Sequence, residues 1–173
     1  FDSYLLRLEP ELVCDPDDLD ALMNVDALVL TLPARRSGPD ANFYLQAVQE
    51  VVDTALARGV PRILFTSSTS VYGRTDGLIK ESSPREPVTA SGTVLKELED
   101  WLHNLPGTSV DILRLAGLVG PDRHPGRFLA GKSAADGGHG VNLVHLDDVV
   151  AAIALLLQAP KGGHIYNLCA PQH

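Results

Sequence analysis

The chain has 173 residues, of which 45% are hydrophobic, 21% charged and 5% aromatic, with a formal net charge of −8. That apolar fraction supports a packed core and excludes wholesale disorder, and the length suits one globular domain spanning residues 1–173. The acidic balance excludes a general binder of nucleic-acid backbone, but not a small anionic ligand held by a loop and a helix end.

Tyr4 to Leu8 reads as a strand, and Asp15-Pro16-Asp17-Asp18 as the capped start of a short helix reaching Met23. Asp26 to Leu32 is a near-continuous apolar strand, the pattern of a strand covered on both faces. From Asn42 to Arg58, Tyr44, Val48, Val51, Val52 and Ala55 recur at helical spacing, and Gly59 supplies the stop. Arg62 to Thr66 is the next strand, followed by a Ser/Thr-rich turn. A helix from Ser91 to Asn104 buries Leu95, Leu98 and Leu102, and Ser109 to Leu115 is another strand ending in a Gly-containing turn. Residues 120–140 form a long Gly- and Pro-rich loop, of the kind that is functional or mobile. A short strand at Asn142 to Val144, a helix capped by Asp147 or Asp148 and running to Gln158, and a last strand within Gly163 to Cys169 complete the chain. Alternation of strands and helices is the sign of a parallel α/β sheet.

The apolar run Val149 to Leu157 is too short to span a bilayer. Cys14 and Cys169 lack CxxC or metal spacing and read as buried or incidental thiols of a reducing compartment, so the expected location is the cytoplasm. No metal site is expected, since His103, His139, His164 and His173 show no ligand spacing. The chain opens at Phe1 with an element already in progress, which suggests a fragment.

Ligands of an open parallel sheet bind beyond the carboxyl ends of its strands, where the turns Thr31 to Ala34, Ser67 to Ser70 and Ala116 to Leu118 would converge. Taken singly, each reads rather as an ordinary strand-to-helix turn. Together, small residues at all three make a cofactor site.

Four segments in order, Asp26 to Ala34 (DALVLTLPA), Arg62 to Gly73 (RILFTSSTSVYG), Ile112 to Pro121 (ILRLAGLVGP), and Val144 to Val149 (VHLDDV) followed by Ile165-Tyr166-Asn167, resemble atypical extended short-chain dehydrogenase/reductases, the NAD-dependent epimerase/dehydratase family. The resemblance covers nearly the whole chain. It implies a Rossmann-like doubly wound, mainly parallel sheet with helices on both faces, and NAD or NADP as cofactor. Thr31, Leu32, Pro33, Ala34, Ser67, Lys96, Leu115, Ala116, Gly117 and Leu118 would hold that cofactor. No Gly-x-Gly-x-x-Gly precedes Asp26, so the resemblance makes Tyr4 to Leu8 a third strand, with the first βαβ unit, roughly 30 residues, lacking.

The resemblance also places Ser68 at the family's catalytic hydroxyl, its alternative being a turn residue satisfying its own backbone. The family's Tyr-x-x-x-Lys pair is degenerate: Lys96 fills the lysine position, but Gly92 stands where the tyrosine belongs. Loss of a positioned general acid removes roughly 10²–10⁴ of rate. Tyr72, the phenol beside Ser68, is the remaining catalytic candidate or else a packing residue. Substrate contacts are assigned to Arg35, Arg36 and Ser70, and to Arg123, His124, Arg127 and His145 in a substrate-side region around 117–145. Each has a solvated or structural alternative. Arg35, Arg36, Arg114, Arg123 and Arg127 would make the cleft locally basic. The implied function is NAD(P)-dependent oxidoreduction or epimerisation/dehydration of a small polar or sugar-linked substrate; the alternative is a dinucleotide-binding sensor without catalysis. The partner expected is a small molecule, with no nucleic acid or membrane, and a homodimer through the helices Asn42 to Arg58 and Ser91 to Asn104 is in keeping with the family.

Overall fold

The computed structural model describes residues 2–9, 11–33, 41–74, 77–131 and 141–171. Its centre is a parallel sheet of four strands, β3 (Leu28–Leu30), β4 (Arg62–Ser68), β5 (Ser109–Leu115) and β8 (Ile165–Leu168), in the order β3-β4-β5-β8. Side chains alternate across a strand. Ile63, Phe65, Val110 and Ile112 therefore share one face, where they pack with Val48, Val51, Val52 and Ala55 of α2 (Ala41–Ala57) and Leu95, Leu98 and Leu102 of α3 (Ala90–His103). Leu64 and Leu113 are buried on the opposite face. On that side α5 (Leu146–Gln158) sets Val149 and Ile153 with Leu115 and Leu168.

At the amino ends of β4 and β5 a buried carboxylate ties this architecture together. Asp111 accepts from Arg62 Nε at 3.1 Å and Nη2 at 2.7 Å and from the backbone N–H of His164 at 3.1 Å, while Arg62 Nη1 donates to the Ala159 carbonyl at 2.7 Å. The end of α5 and the entry to β8 are thus pinned far from the carboxyl ends.

The expected third strand is different. Arg7–Glu9 (β1) pairs antiparallel with Glu11–Val13 (β2), with Leu8 opposite Leu12, as a sheet of its own. A parallel pairing needs a neighbouring strand delivered by a crossover, whereas a local hairpin closes a very short loop at small entropic cost. The following helix, α1 (Pro16–Met23), starts as expected, with Asp15 accepting from the N–H groups of Asp17 and Asp18.

Two further expectations change. Gly117 and Leu118 do not form a turn: Gly117–Val119 is a strand, β6, parallel to β7 (Leu143–His145). The cap of α5 is His145, whose Nδ1 accepts the Asp147 N–H at 3.2 Å, leaving Asp147 and Asp148 in the first turn beside the positive end of the helix. Between β6 and β7 lies a four-residue helix, α4 (Gly126–Leu129). Cys14 is half-buried and Cys169 exposed, so neither is a core thiol. Among the described residues no helix is long and apolar enough to cross a membrane.

Leu98 is completely buried between α3 and the sheet. Leu98→Ala should lower unfolding stability by about 2–5 kcal/mol, read as a shift of the urea midpoint at constant slope.

Candidate active site

The segments leaving the carboxyl ends of the central strands are residues 31–33 after β3, the 3-10 turn Thr69–Tyr72 after β4, and Ala116 after β5. Thr31 and Pro33 are exposed, Leu32 is half-buried and Ala116 is buried, with Gly117 exposed and Leu118 half-buried on β6. Ala34, Arg35 and Arg36 lie outside the described residues.

Ser68 ends β4 in extended conformation and caps the 3-10 turn, its Oγ accepting the Ser70 N–H at 3.2 Å. That bond occupies a lone pair and leaves the hydroxyl proton for another acceptor. Both readings of Ser68, turn residue and substrate-facing hydroxyl, therefore fit this geometry. Ser67, one residue back, points the other way. Its buried hydroxyl donates to Glu99 Oε1 at 2.6 Å, so any contact it offers a cofactor comes from its backbone.

Beneath the turn lies a buried polar network. Arg114 of β5 and Glu99 of α3 are each 1% exposed. Arg114 Nη2 donates to Glu99 Oε2 at 2.7 Å and Nε lies 3.1 Å from both carboxylate oxygens. Arg114 Nη1 donates to the Tyr72 hydroxyl at 2.6 Å and to the Glu81 carbonyl at 3.0 Å, and Tyr72 donates onward to Asn167 Oδ1 at 2.7 Å. Arg85 adds a second cation, 3.0 Å from Glu99 Oε2. Burial by itself pulls the Arg114 pKa down, but the hydrogen bonds and charge of Glu99, with Tyr72, outweigh it and hold the guanidinium above its ordinary value. Arg114 is consequently a core residue and not part of a basic cleft. Tyr72 is buried with its hydroxyl engaged on both sides, which makes it a member of this network.

The Glu81 carboxylate accepts the backbone N–H of Asn167 at 2.8 Å, and this bond lowers its pKa. Tyr44 at the start of α2 donates to the Leu32 carbonyl at 3.0 Å, and burial pushes its pKa up to about 12. Tyr44 is therefore not tuned toward proton transfer near neutral pH.

Lys96 is half-buried on α3, and its ammonium makes no hydrogen bond or ion pair with another described residue. Gly92, one turn earlier, is packed shut. A Cβ there would lie 2.7 Å from the Ser70 carbonyl oxygen and 3.0 Å from both Pro87 Cβ and Thr89 Oγ1. The backbone of the Ser68 turn occupies the space a side chain would need.

The substrate-side candidates are exposed and make contacts within their own loop. Arg123 Nε donates to the Leu118 carbonyl at 3.0 Å, Arg127 Nη1 to the Asp122 carbonyl at 2.9 Å, and His124 Nδ1 accepts the Gly126 N–H at 3.1 Å. His145 shares its strand pairing with Val119 and caps α5, which brings it to the same β6–β7 unit. Among the described residues no group of three or more His, Cys, Asp or Glu could hold a metal ion.

Residues 11–169 match the family described as NAD dependent epimerase/dehydratase family. The chain belongs to that family. Protein YeeZ of Escherichia coli (strain K12) is 79% identical over 172 residues, which make up 99% of this chain and 63% of that protein. MoeE5, in complex with UDP-glucuronic acid and NAD, superposes with a TM-score of 0.74 at 26% identity over 88% of this chain and 59% of its own. UDP-glucuronic acid 4-epimerase from Bacillus cereus, in complex with NAD, gives 0.74 at 19% identity, covering 89% of this chain and 57% of its own, a likeness of fold alone. The fold is Rossmann-like with a shortened sheet, and the chain spans under two-thirds of these proteins' lengths. Gly92, four residues before Lys96, lies on a helix pressed against the Ser68 turn.

The sequence reading passed over Glu99, Asn167 and Tyr44 as site-forming residues. A signal was present for the first. Glu99 lies between Leu98 and Leu102 on the buried stripe of α3, and Arg114 is in phase with Val110 and Ile112 on β5, so opposite charges sit on two inward faces. Glu99→Ala, which strands Arg114 without its carboxylate, should cost about 3–5 kcal/mol, and the pair Glu99→Leu with Arg114→Met should recover most of that loss in chemical denaturation.

Proposed function

We propose that the protein containing this chain binds NAD at the carboxyl ends of β3, β4 and β5 and carries out oxidoreduction or epimerisation/dehydration on a small, sugar-linked substrate. The observation that carries this reading is the convergence of three segments, 31–33, Ser68 to Tyr72 and Ala116 to Leu118, on one end of a parallel sheet in a family described as NAD dependent. Thr31, Leu32, Pro33, Ala34, the backbone of Ser67, Leu115, Ala116, Gly117 and Leu118 would line the cofactor, and Lys96 would meet a ribose hydroxyl. These small or backbone-presenting groups suit the nicotinamide side of a dinucleotide. The glycine-rich turn that takes a pyrophosphate on backbone N–H groups is not found among the 173 residues. NAD supplies hydride exchange when bound. Ser68 would orient a substrate oxygen by donating its hydroxyl proton, with Ser70 beside it. Arg35, Arg36, Arg123, His124, Arg127 and His145 would bound the substrate side.

Gly92 favours a second reading, a dinucleotide-binding sensor without catalysis. With the tyrosine position closed by the Ser70 carbonyl, no phenol at that place can donate or accept the proton. Either form is proposed to work in the cytoplasm on a small molecule, without nucleic acid or membrane, and to pair as a homodimer through α2 and α3. The finer choice between NAD and NADP belongs to the same proposal.

Titration calorimetry on the full-length protein separates the possibilities. NADH or NADPH should bind, and absence of both interactions sinks the enzyme and sensor readings together. Turnover of a sugar-nucleotide panel that disappears in Ser68→Ala identifies the enzyme; binding without turnover identifies the sensor. Gly92→Tyr should lose at least about 1–3 kcal/mol of stability through overpacking and gain no activity. A gain in rate of the order of 10² would show that the position still accepts a proton-transfer group.

A further inference from the structure

The structure assigns to Tyr44 the task of positioning the segment that leaves β3, so that the Leu32 carbonyl and its neighbours hold one shape for a dinucleotide. This rests on the cofactor reading above. The β3–β4 ladder runs through Leu28↔Ile63, Val29↔Leu64 and Leu30↔Phe65 and stops there. At its end and just past it, two hydroxyls hold alternate carbonyls of the departing strand. Thr66 Oγ1 donates to Leu30 O at 3.2 Å from within β4, and Tyr44 donates to Leu32 O at 3.0 Å from the first turns of α2.

These two clamps differ in consequence. Thr66 reinforces a residue already paired in the ladder. Tyr44 holds a residue past its end, where the chain has no strand partner among the described residues and the following residue, Pro33, has no N–H to give. The ring of Tyr44 packs against the main core while its hydroxyl reaches the sheet edge, so α2 and the turn are fixed relative to each other by one side chain. Burial keeps the hydroxyl protonated, and therefore a donor, throughout the working pH range. Positioning within about half an ångström is what a binding turn requires, and a single buried donor from a rigid helix supplies it.

The test uses the full-length protein carrying Tyr44→Phe, with Thr66→Val as the comparison. Tyr44→Phe keeps the ring and removes the hydroxyl. Amide exchange at Thr31 and Leu32 should quicken about tenfold, and NADH affinity should fall about three- to tenfold. Thr66→Val should show a comparable change in thermal midpoint with NADH affinity within twofold of the parent. A uniform loss of affinity in both variants, in step with their thermal midpoints, overturns the assignment and leaves Tyr44 a packing residue. So does unchanged exchange at Thr31 and Leu32. If the parent binds no NADH while Tyr44→Phe still quickens exchange there, the cofactor reading fails and the anchoring role stands.

Discussion

One carboxylate inside the interior, that of Glu99, faces two guanidiniums, and the arrangement of the strand ends follows from it. Arg114 cannot leave this carboxylate without stranding a buried charge, so β5 and α3 are held in one register. The remaining donors of Arg114 then fix Tyr72 and the Glu81 carbonyl, and Tyr72 fixes Asn167 on β8. Through Ser67 the same carboxylate ties the end of β4. Against apolar replacements of equal shape such a network contributes little net stability. What it supplies is a defined arrangement, because each member satisfies the next and a displaced member would leave buried groups unpaired.

This constraint explains how the two charged clusters divide the work. Asp111 and Arg62 fasten the amino ends, where β4, β5, α5 and the entry to β8 meet, at the opposite end of the sheet from the Ser68 turn. Glu99 and Arg114 lie under the carboxyl ends and present the Ser68 turn on a rigid base. Rigidity there has a steric consequence as well. The Ser70 carbonyl is pressed onto α3 so closely that Gly92 is the residue the contact admits, and a tyrosine at that place is excluded by backbone rather than merely absent.

Much of this was legible in the residues. Helical spacing in Tyr44 to Ala55 and Leu95 to Leu102, capping at Asp15 and the apolar strands at Arg62 and Ser109 all reappear in the structure with small shifts of boundary. Local signals carried them: periodicity, a cap, a proline. Less legible were the residues whose roles depend on a distant partner. His145 displaced Asp147 as a cap because its imidazole reaches back over the helix start. Tyr44 looked like one more apolar position on α2, since only its hydroxyl distinguishes it and that hydroxyl meets a carbonyl twelve residues earlier. Arg123 and Arg127 also brace their own loop, through the Leu118 and Asp122 carbonyls, which charge alone does not foretell.

The sequence by itself determined a parallel α/β domain and, through four spaced motifs, its family. Periodicity and motif spacing are properties of neighbouring residues, so they survive without coordinates. Only the tertiary structure decided that Arg114 is a buried counter-ion and not a cleft cation, that Ser67 turns inward while Ser68 stays at the turn, and that Gly92 is closed by the Ser70 carbonyl. Each of those outcomes depends on which element lies opposite, and a charge or a hydroxyl takes its role from the partner that packing brings within reach.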